Sequence, residues 1–198
     1  LWDVLLAHAD APTAESLPLF FAIIGIRPLW ADAPRWAVDP EKSALSFVFV
    51  QGDDVQEGRV EKFTADIELD PMRPAAGKVS VKIDMSSAET GDSIRDAALR
   101  QAEWFNVNAF PTAEFKVTST RAITASEYVA DVTLTIRDRT HTISLPFALS
   151  ISGTDAEMKG ELVIDQNDFY VGTGMFAAPT VVALEVRISV NIRATRIP

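Results

Sequence analysis

The sequence predicts an all-β fold, an antiparallel eight-stranded barrel with one short helix between its third and fourth strands. Three observations predict it. Apolar and polar residues alternate along most of the chain from Trp36 onward, the connections between alternating runs are short and rich in turn residues, and a single stretch of this region has helical character. Strand side chains switch faces at every residue, so such alternation sets one face in a core and the other in water. Short links favour antiparallel neighbours. About eight strands of this length close into a barrel that is either filled by side chains or holds one ligand, and closure leaves no exposed sheet edge.

The elements follow in order. A first strand is expected near 43–51, where Leu45, Phe47 and Phe49 share a face, and a second near 57–70. Val79, Val81 and Ile83 mark a third near 78–86. The period then breaks. Asp92 to Arg100 has helical character, with Asp92 or Ser93 able to cap its first turn. Trp104-Phe105 and Phe110-Pro111 come next, large apolar side chains on a connection expected to cover one side or end of the barrel. Further strands are expected near 112–120, 127–137, 140–152, 157–166 and 181–194. The stripes Ile143, Leu145, Phe147, Leu149 and Ile151, and Leu184, Val186, Ile188, Val190 and Ile192, are the longest. Gly52-Asp53-Asp54, the segment from Pro71 to Gly77, and Gly153-Thr154-Asp155 supply turns.

Composition bounds the function. A chain of 198 residues, 47% of them hydrophobic, suits one compact domain with a short extra segment. A net charge of −10 repels phosphate backbones, so nucleic acid is not an expected partner. The absence of cysteine excludes disulfides, thiolate zinc sites, covalent haem attachment and a cysteine nucleophile. With His8 and His141 the only histidines, neither a metal site nor a catalytic triad is expected, and no cofactor is implied.

Residues 1–35 read apart from residues 36–198. Leu17 to Ile26 is a dense apolar run, followed by Ala31-Asp32-Ala33, a layout that partly resembles a secretory signal. The preceding residues carry no Lys or Arg, and the run is too short and interrupted to span a bilayer, which takes about 20 apolar residues. The readings are a segment that docks on the barrel or on a neighbouring chain, giving a dimer, and a targeting region or remnant of an upstream membrane domain.

The main region resembles the YceI-like proteins. Trp36-Ala37-Val38-Asp39-Pro40 with Ser43 and Phe47, then Phe63 and Ile67-Glu68-Leu69-Asp70-Pro71, are similar to that family's opening. Ile83 to Gly91 with Arg95-Asp96 and Leu99 resembles its most distinctive stretch. Trp104-Phe105, Phe110-Pro111, Glu114-Phe115, Leu134 to Arg137 and Asp168-Phe169 continue it in order. Lys42 stands where many members carry a histidine. The resemblance implies an extended lipocalin-like barrel that binds polyisoprenoid or fatty-acyl chains, in a protein exported to the periplasm.

With that resemblance, Phe47, Phe49, Ile83, Phe115, Leu134, Phe147, Leu149, Leu184 and Val186 are candidate ligand-lining residues, and they equally suit a filled core. The corresponding functions are binding, transport or storage of an apolar chain molecule, or a non-catalytic structural or interaction module tethered through residues 1–35. Arg95 is a candidate headgroup contact, or with Asp96 a device for starting the helix. His141 is expected at a turn as a solvated or hydrogen-bonded side chain, and Asp165 and Asp168 as turn residues bonding to backbone. Gly172-Thr173-Gly174 lacks the strand-loop-helix context and lysine of a phosphate cradle and reads as a bend.

Overall fold

The structure is a computed structural model, and it describes residues 33–197. The expectations for residues 1–35 therefore fall almost entirely outside the described residues. Eleven strands form one antiparallel sheet: β1 (Arg35–Val38), β2 (Ala44–Gln51), β3 (Asp54–Val60), β4 (Phe63–Glu68), β5 (Lys78–Asp84), β6 (Ala88–Glu89), β7 (Thr112–Ala122), β8 (Glu127–Ile136), β9 (Arg139–Ser152), β10 (Asp155–Asp165) and β11 (Glu185–Arg196). A single α-helix among the described residues, α1 (Ser93–Leu99), lies in the chain between β6 and β7.

These eleven pieces make the eight-membered ring the alternation predicts, because three of the runs are interrupted. The first is β1 and β2, which both pair with β11, Trp36 opposite Arg196 and Phe47 opposite Ile188. Between them the Ser43 hydroxyl takes over the ladder, donating to the Arg193 carbonyl and accepting from its N–H at 3.0 Å. The second run is β3 and β4. The expected single strand at 57–70 is broken at Glu61-Lys62, where the backbone instead bonds a 3-10 turn at Met85–Ser87. Asp84 caps that turn by accepting from the Ser86 N–H, which ends the third run two residues earlier than alternation suggests. β1 pairs with β4 as well as β11, and this closes the barrel.

The two ends differ. The connections after β4, β7 and β9 lie at one end, where β1 also begins, the first of them, residues 69–77, carrying a 3-10 turn at Pro74–Ala76; this is the open end. At the other, α1, the loop to Phe110 and the 3-10 turns Gln166–Phe169 and Gly174–Phe176 form a lid. Asp92 caps α1 by accepting from the N–H groups of Ile94 and Arg95. The lid is hydrogen-bonded to itself and to the barrel. Thr173 N–H donates to the Glu103 carbonyl at 2.8 Å, and Trp104 packs on Phe176 with centroids 5.1 Å apart. Arg137, in a left-handed backbone conformation at the β8–β9 turn, donates to the carbonyls of Trp104 and Tyr170 and lies over the Phe110 ring.

An apolar interior between an open end and a lid

Burial around the ring is uneven. On β8 every inward side chain is buried: Tyr128, Ala130, Val132, Leu134 and Ile136 alternate with half-exposed neighbours, and Val132 is 0% exposed. On β4, β5 and β11, across the barrel, the inward residues Ala65, Ile67, Val81, Ile83, Ile188 and Val190 are only half-buried. In a closed barrel with a filled core both walls would be buried to the same degree. The space between these walls is not filled.

That space consists of two apolar cavities, about 130 Å³ toward the open end and about 150 Å³ under the lid. Leu45, Ile83, Phe115 and Val190 belong to both, so these four side chains form the partition. Trp36, Val79, Thr120 and Leu149 enclose the first cavity, with the Trp36 indole N–H satisfied by the Leu69 carbonyl at 3.0 Å. Exposure rises along β9 from Leu145 at 2% to Ile151 at 40%, so this cavity reaches the rim of the barrel. The lid-end cavity is closed by Met85, Leu99, Trp104, Phe105 and Phe169. Each volume is comparable to an engineered apolar cavity that admits a benzene molecule.

Two polar side chains are buried among these walls. A bulge after Val117 adds one residue to β7, so Thr120, and not Ser119, turns inward. Ser119 is left outside, where it donates to Asp131. The other is Gln166, 3% exposed on the lid-end wall, whose Nε2 has no hydrogen-bond partner.

Residues 36–194 match the family model described as the YceI-like domain. The chain belongs to this family. A UPF0312 protein of Pseudomonas aeruginosa is 31% identical over 142 residues, covering 68% of this chain and 72% of that protein. Among solved structures, BcnA of Burkholderia cenocepacia superposes with a TM-score of 0.78 at 30% identity, covering 80% of this chain and 100% of BcnA. A polyisoprenoid-binding domain from Saccharophagus degradans, implicated in plant cell wall breakdown, has the same fold with a TM-score of 0.67 at 18% identity, over 82% of this chain and 98% of that domain.

Within this YceI-like barrel, eight of the nine candidate lining residues face a cavity. Phe47, Phe49, Leu134 and Val186 lie at the lid end, Phe147 and Leu149 at the open end, and Ile83 and Phe115 at the partition. Leu184 lies on neither wall. The β10–β11 ladder stops at Asp165 opposite Glu185, and the Leu184 carbonyl turns to accept the Gln166 N–H, so the stripe from Val186 onward does not extend back to it. Arg95 is also outside both cavities. Its guanidinium donates to Thr90 Oγ1 at 3.1 Å and to Gln51 Oε1 at 3.3 Å, tying α1 to the end of β2.

His141 and Asp165 have structural partners. His141 Nε2 bonds the Asp168 carbonyl at 2.9 Å with its ring edge-on to Phe169. Asp165 accepts from the Asn167 N–H at 2.8 Å, as a turn residue does. Among the described residues no group of three or more His, Asp or Glu is arranged to hold a metal ion, and no helix is long and apolar enough to cross a membrane.

Sequence reasoning missed the residues of β4 and the inward half of β10. Ala65, Ile67 and Met158 line the open-end cavity, and the alternation at 63–67 and 156–164 carried that signal. For Gln166 there was no signal, since it stands in a run of turn-forming polar residues.

Proposed function

We propose that this YceI-like protein binds an apolar chain molecule, a polyisoprenoid, quinone-like or fatty-acyl lipid, inside its barrel and transports or stores it without catalysing a reaction. The observation that carries the reading is the hollow interior, walled almost wholly by hydrocarbon and reaching the rim at Ile151. A water molecule takes about 30 Å³ of liquid volume and a methylene group is similar, so each cavity admits four or five carbons. Together they take about ten. At about 0.8 kcal/mol per buried CH₂, ten carbons supply about 8 kcal/mol before ordering costs, a ceiling near micromolar affinity. A longer chain extends past Ile151 toward the open end. The binding domain from Saccharophagus degradans, which shares the fold, supports the choice of ligand class.

Hydrophobic burial suffices for this work, and no nucleophile, acid–base pair or metal cluster on the walls is needed. The reading assigns the protein to the periplasm, on the family resemblance, with residues 1–35 as its docking or targeting segment. Native mass spectrometry of gently purified protein tests it. A co-purifying apolar species released on activation is expected; a clean protein mass together with no uptake of added alkane would overturn the carrier role.

A further inference from the structure

The wall of the barrel is not hydrogen-bonded throughout its lid-end half. The ladder between β9 and β10 runs from Ser152–Asp155 to Phe147–Gly160 and stops there. Beyond that point β9 stays paired with β8 as far as Arg139, and β10 with β11 as far as Asp165. A seam without ladder pairs therefore lies between residues 139–146 of β9 and 161–165 of β10. Pro146 is its cause. Leu149 N–H donates to the Ser126 carbonyl, on the β8 side, so odd-numbered residues of β9 direct their backbone groups to β8 and even-numbered ones to β10. The pair due after Phe147–Gly160 is Pro146–Glu161, and proline has no N–H to give it. Thr142, Ser144 and Val163, on the two lips of the seam, are exposed.

Inside, side chains close the seam. Leu162 and Ile164 of β10 line the lid-end cavity, as do Leu134 and Ile136 of β8, but β9 between them contributes no residue to it. Phe169 stands there instead: it is 1% exposed, belongs to the cavity wall, and meets the His141 ring of β9 edge-on at 5.0 Å. The turn that carries Phe169 is fastened to β9 by the hydrogen bond from His141 Nε2 to the Asp168 carbonyl, and beside it the Arg139 guanidinium lies over the Tyr170 ring at 3.9 Å. This cavity needs an entrance, since its floor is the four-residue partition and its roof is the lid, tied down through Thr173, Arg137 and Trp104. Taking the carrier reading as given, we propose that the apolar chain enters and leaves the lid-end cavity sideways, through the seam between β9 and β10, with Phe169 as the door and His141 as its latch. Opening here breaks no ladder hydrogen bond, whereas parting β10 from β11 would break a ladder along the whole of β10. Ile143, Leu162 and Ile164 pack into the core from both lips, and that apolar contact closes the seam again after passage.

A cross-link over the seam tests this in the full chain. Ser144→Cys and Val163→Cys are placed on opposite lips with side chains outside the barrel, and in a chain without cysteine dibromobimane joins that pair alone. Phe at positions 2, 30 and 36 leaves Trp104, on the lid-end wall, as the only tryptophan. Quenching of Trp104 by 1-bromodecane then reports entry, and its recovery in excess n-decane reports release. Bridging is expected to slow both by about tenfold or more relative to the unbridged protein, with affinity unchanged, because a local opening is lost. The same bridge between Ala148→Cys and Lys159→Cys, where the ladder is intact, is expected to alter neither rate. His141→Leu is expected to speed release by about fivefold, the worth of one hydrogen bond, and to lose that gain once the seam is bridged. If bridging leaves entry and release as they were, or His141→Leu speeds release equally in the bridged protein, the seam is not the entrance and the carrier reading stands. If 1-bromodecane never enters the unbridged protein, both fall.

Discussion

Filling the open-end cavity gives two effects of opposite sign. Ala65 on β4 faces that cavity opposite the β5 residue Val81. Ala65→Phe adds one benzene ring, and a cavity of about 130 Å³ is the size that one such ring fills. At about 24 cal/mol per Å³ of cavity removed, complete filling would stabilise the ligand-free protein by up to about 3 kcal/mol. For a domain of this size that raises Tm by about 2–4 °C per kcal/mol. Capacity falls at the same time from about ten carbons to the four or five of the lid-end cavity. Losing about five methylenes at ~0.8 kcal/mol each weakens decane binding by about 4 kcal/mol, or about a thousandfold. Thermal melting and headspace partitioning read the two effects separately. In a barrel whose interior is already filled, the same ring would overpack it and cost about 1–3 kcal/mol. A lower Tm with unchanged decane uptake would therefore refute the hollow interior.

Three further outcomes follow from the same structure. Arg137→Ala removes the donor that joins the Trp104 and Tyr170 carbonyls. It should destabilise the protein by about 2 kcal/mol and speed amide exchange most at residues 101–111 and 166–177; uniform exchange across the barrel would contradict the clamp. Ligand affinity is expected to stay flat between pH 5 and 9, since neither cavity wall holds a titratable group; a step near pH 6 in decane uptake would show that a histidine or carboxylate intervenes. Stability, in contrast, should fall in acid. Hydrogen bonds from Ser119 and then Ser144 hold Asp131 below its ordinary value of 3.8, and the Arg95 and Ile94 N–H groups do the same for Asp92. A lowered native pKa means the unfolded chain takes up the proton first, so this stabilisation is complete above about pH 4 and is lost as pH drops through the native values. Urea midpoints should hold steady from pH 7 to 5 and decline below pH 4, less steeply in Asp131→Asn; equal acid limbs for the two proteins would count against it.

The barrel was legible because its signal is redundant. Leu45, Phe47 and Phe49, or Ile143 through Ile151, state the same inward face several times, so an error at one position does not alter the reading. What escaped were features held by a single irregular contact. The interruption at Glu61-Lys62 depends on a turn at Met85–Ser87 more than twenty residues away, which alternation within either segment does not encode. The bulge after Val117 reverses the phase of β7 and sends Thr120 inward, where strict alternation would place Ser119. Leu184 lies off both walls for the opposite reason: its stripe continues in sequence beyond the point where the ladder ends.

The site divides in the same way. Aromatic and aliphatic wall residues follow from period two, but whether they meet or enclose space depends on the differences in side-chain volume around the whole ring. Ala65, Ala130 and Ala156 leave room that Phe115 and Phe147 do not take up, and no local pattern reports that balance. Gln166 is harder still. In Asp165-Gln166-Asn167-Asp168 it is one polar residue among four, and only the backbone bonds to Leu184 and Val171, with the bare Cα of Gly172 beside its amide, bury it.

The account depends most on an alkyl chain residing inside the barrel, and a crystal of the protein loaded with 1-bromodecane locates one directly. The anomalous bromine signal is expected within the space bounded by Leu45, Ile83, Phe115 and Val190 or in one of the cavities that meet there, with chain density leading toward Ile151. Bromine only on the outer surface, with the interior free of density at saturating ligand, would contradict it.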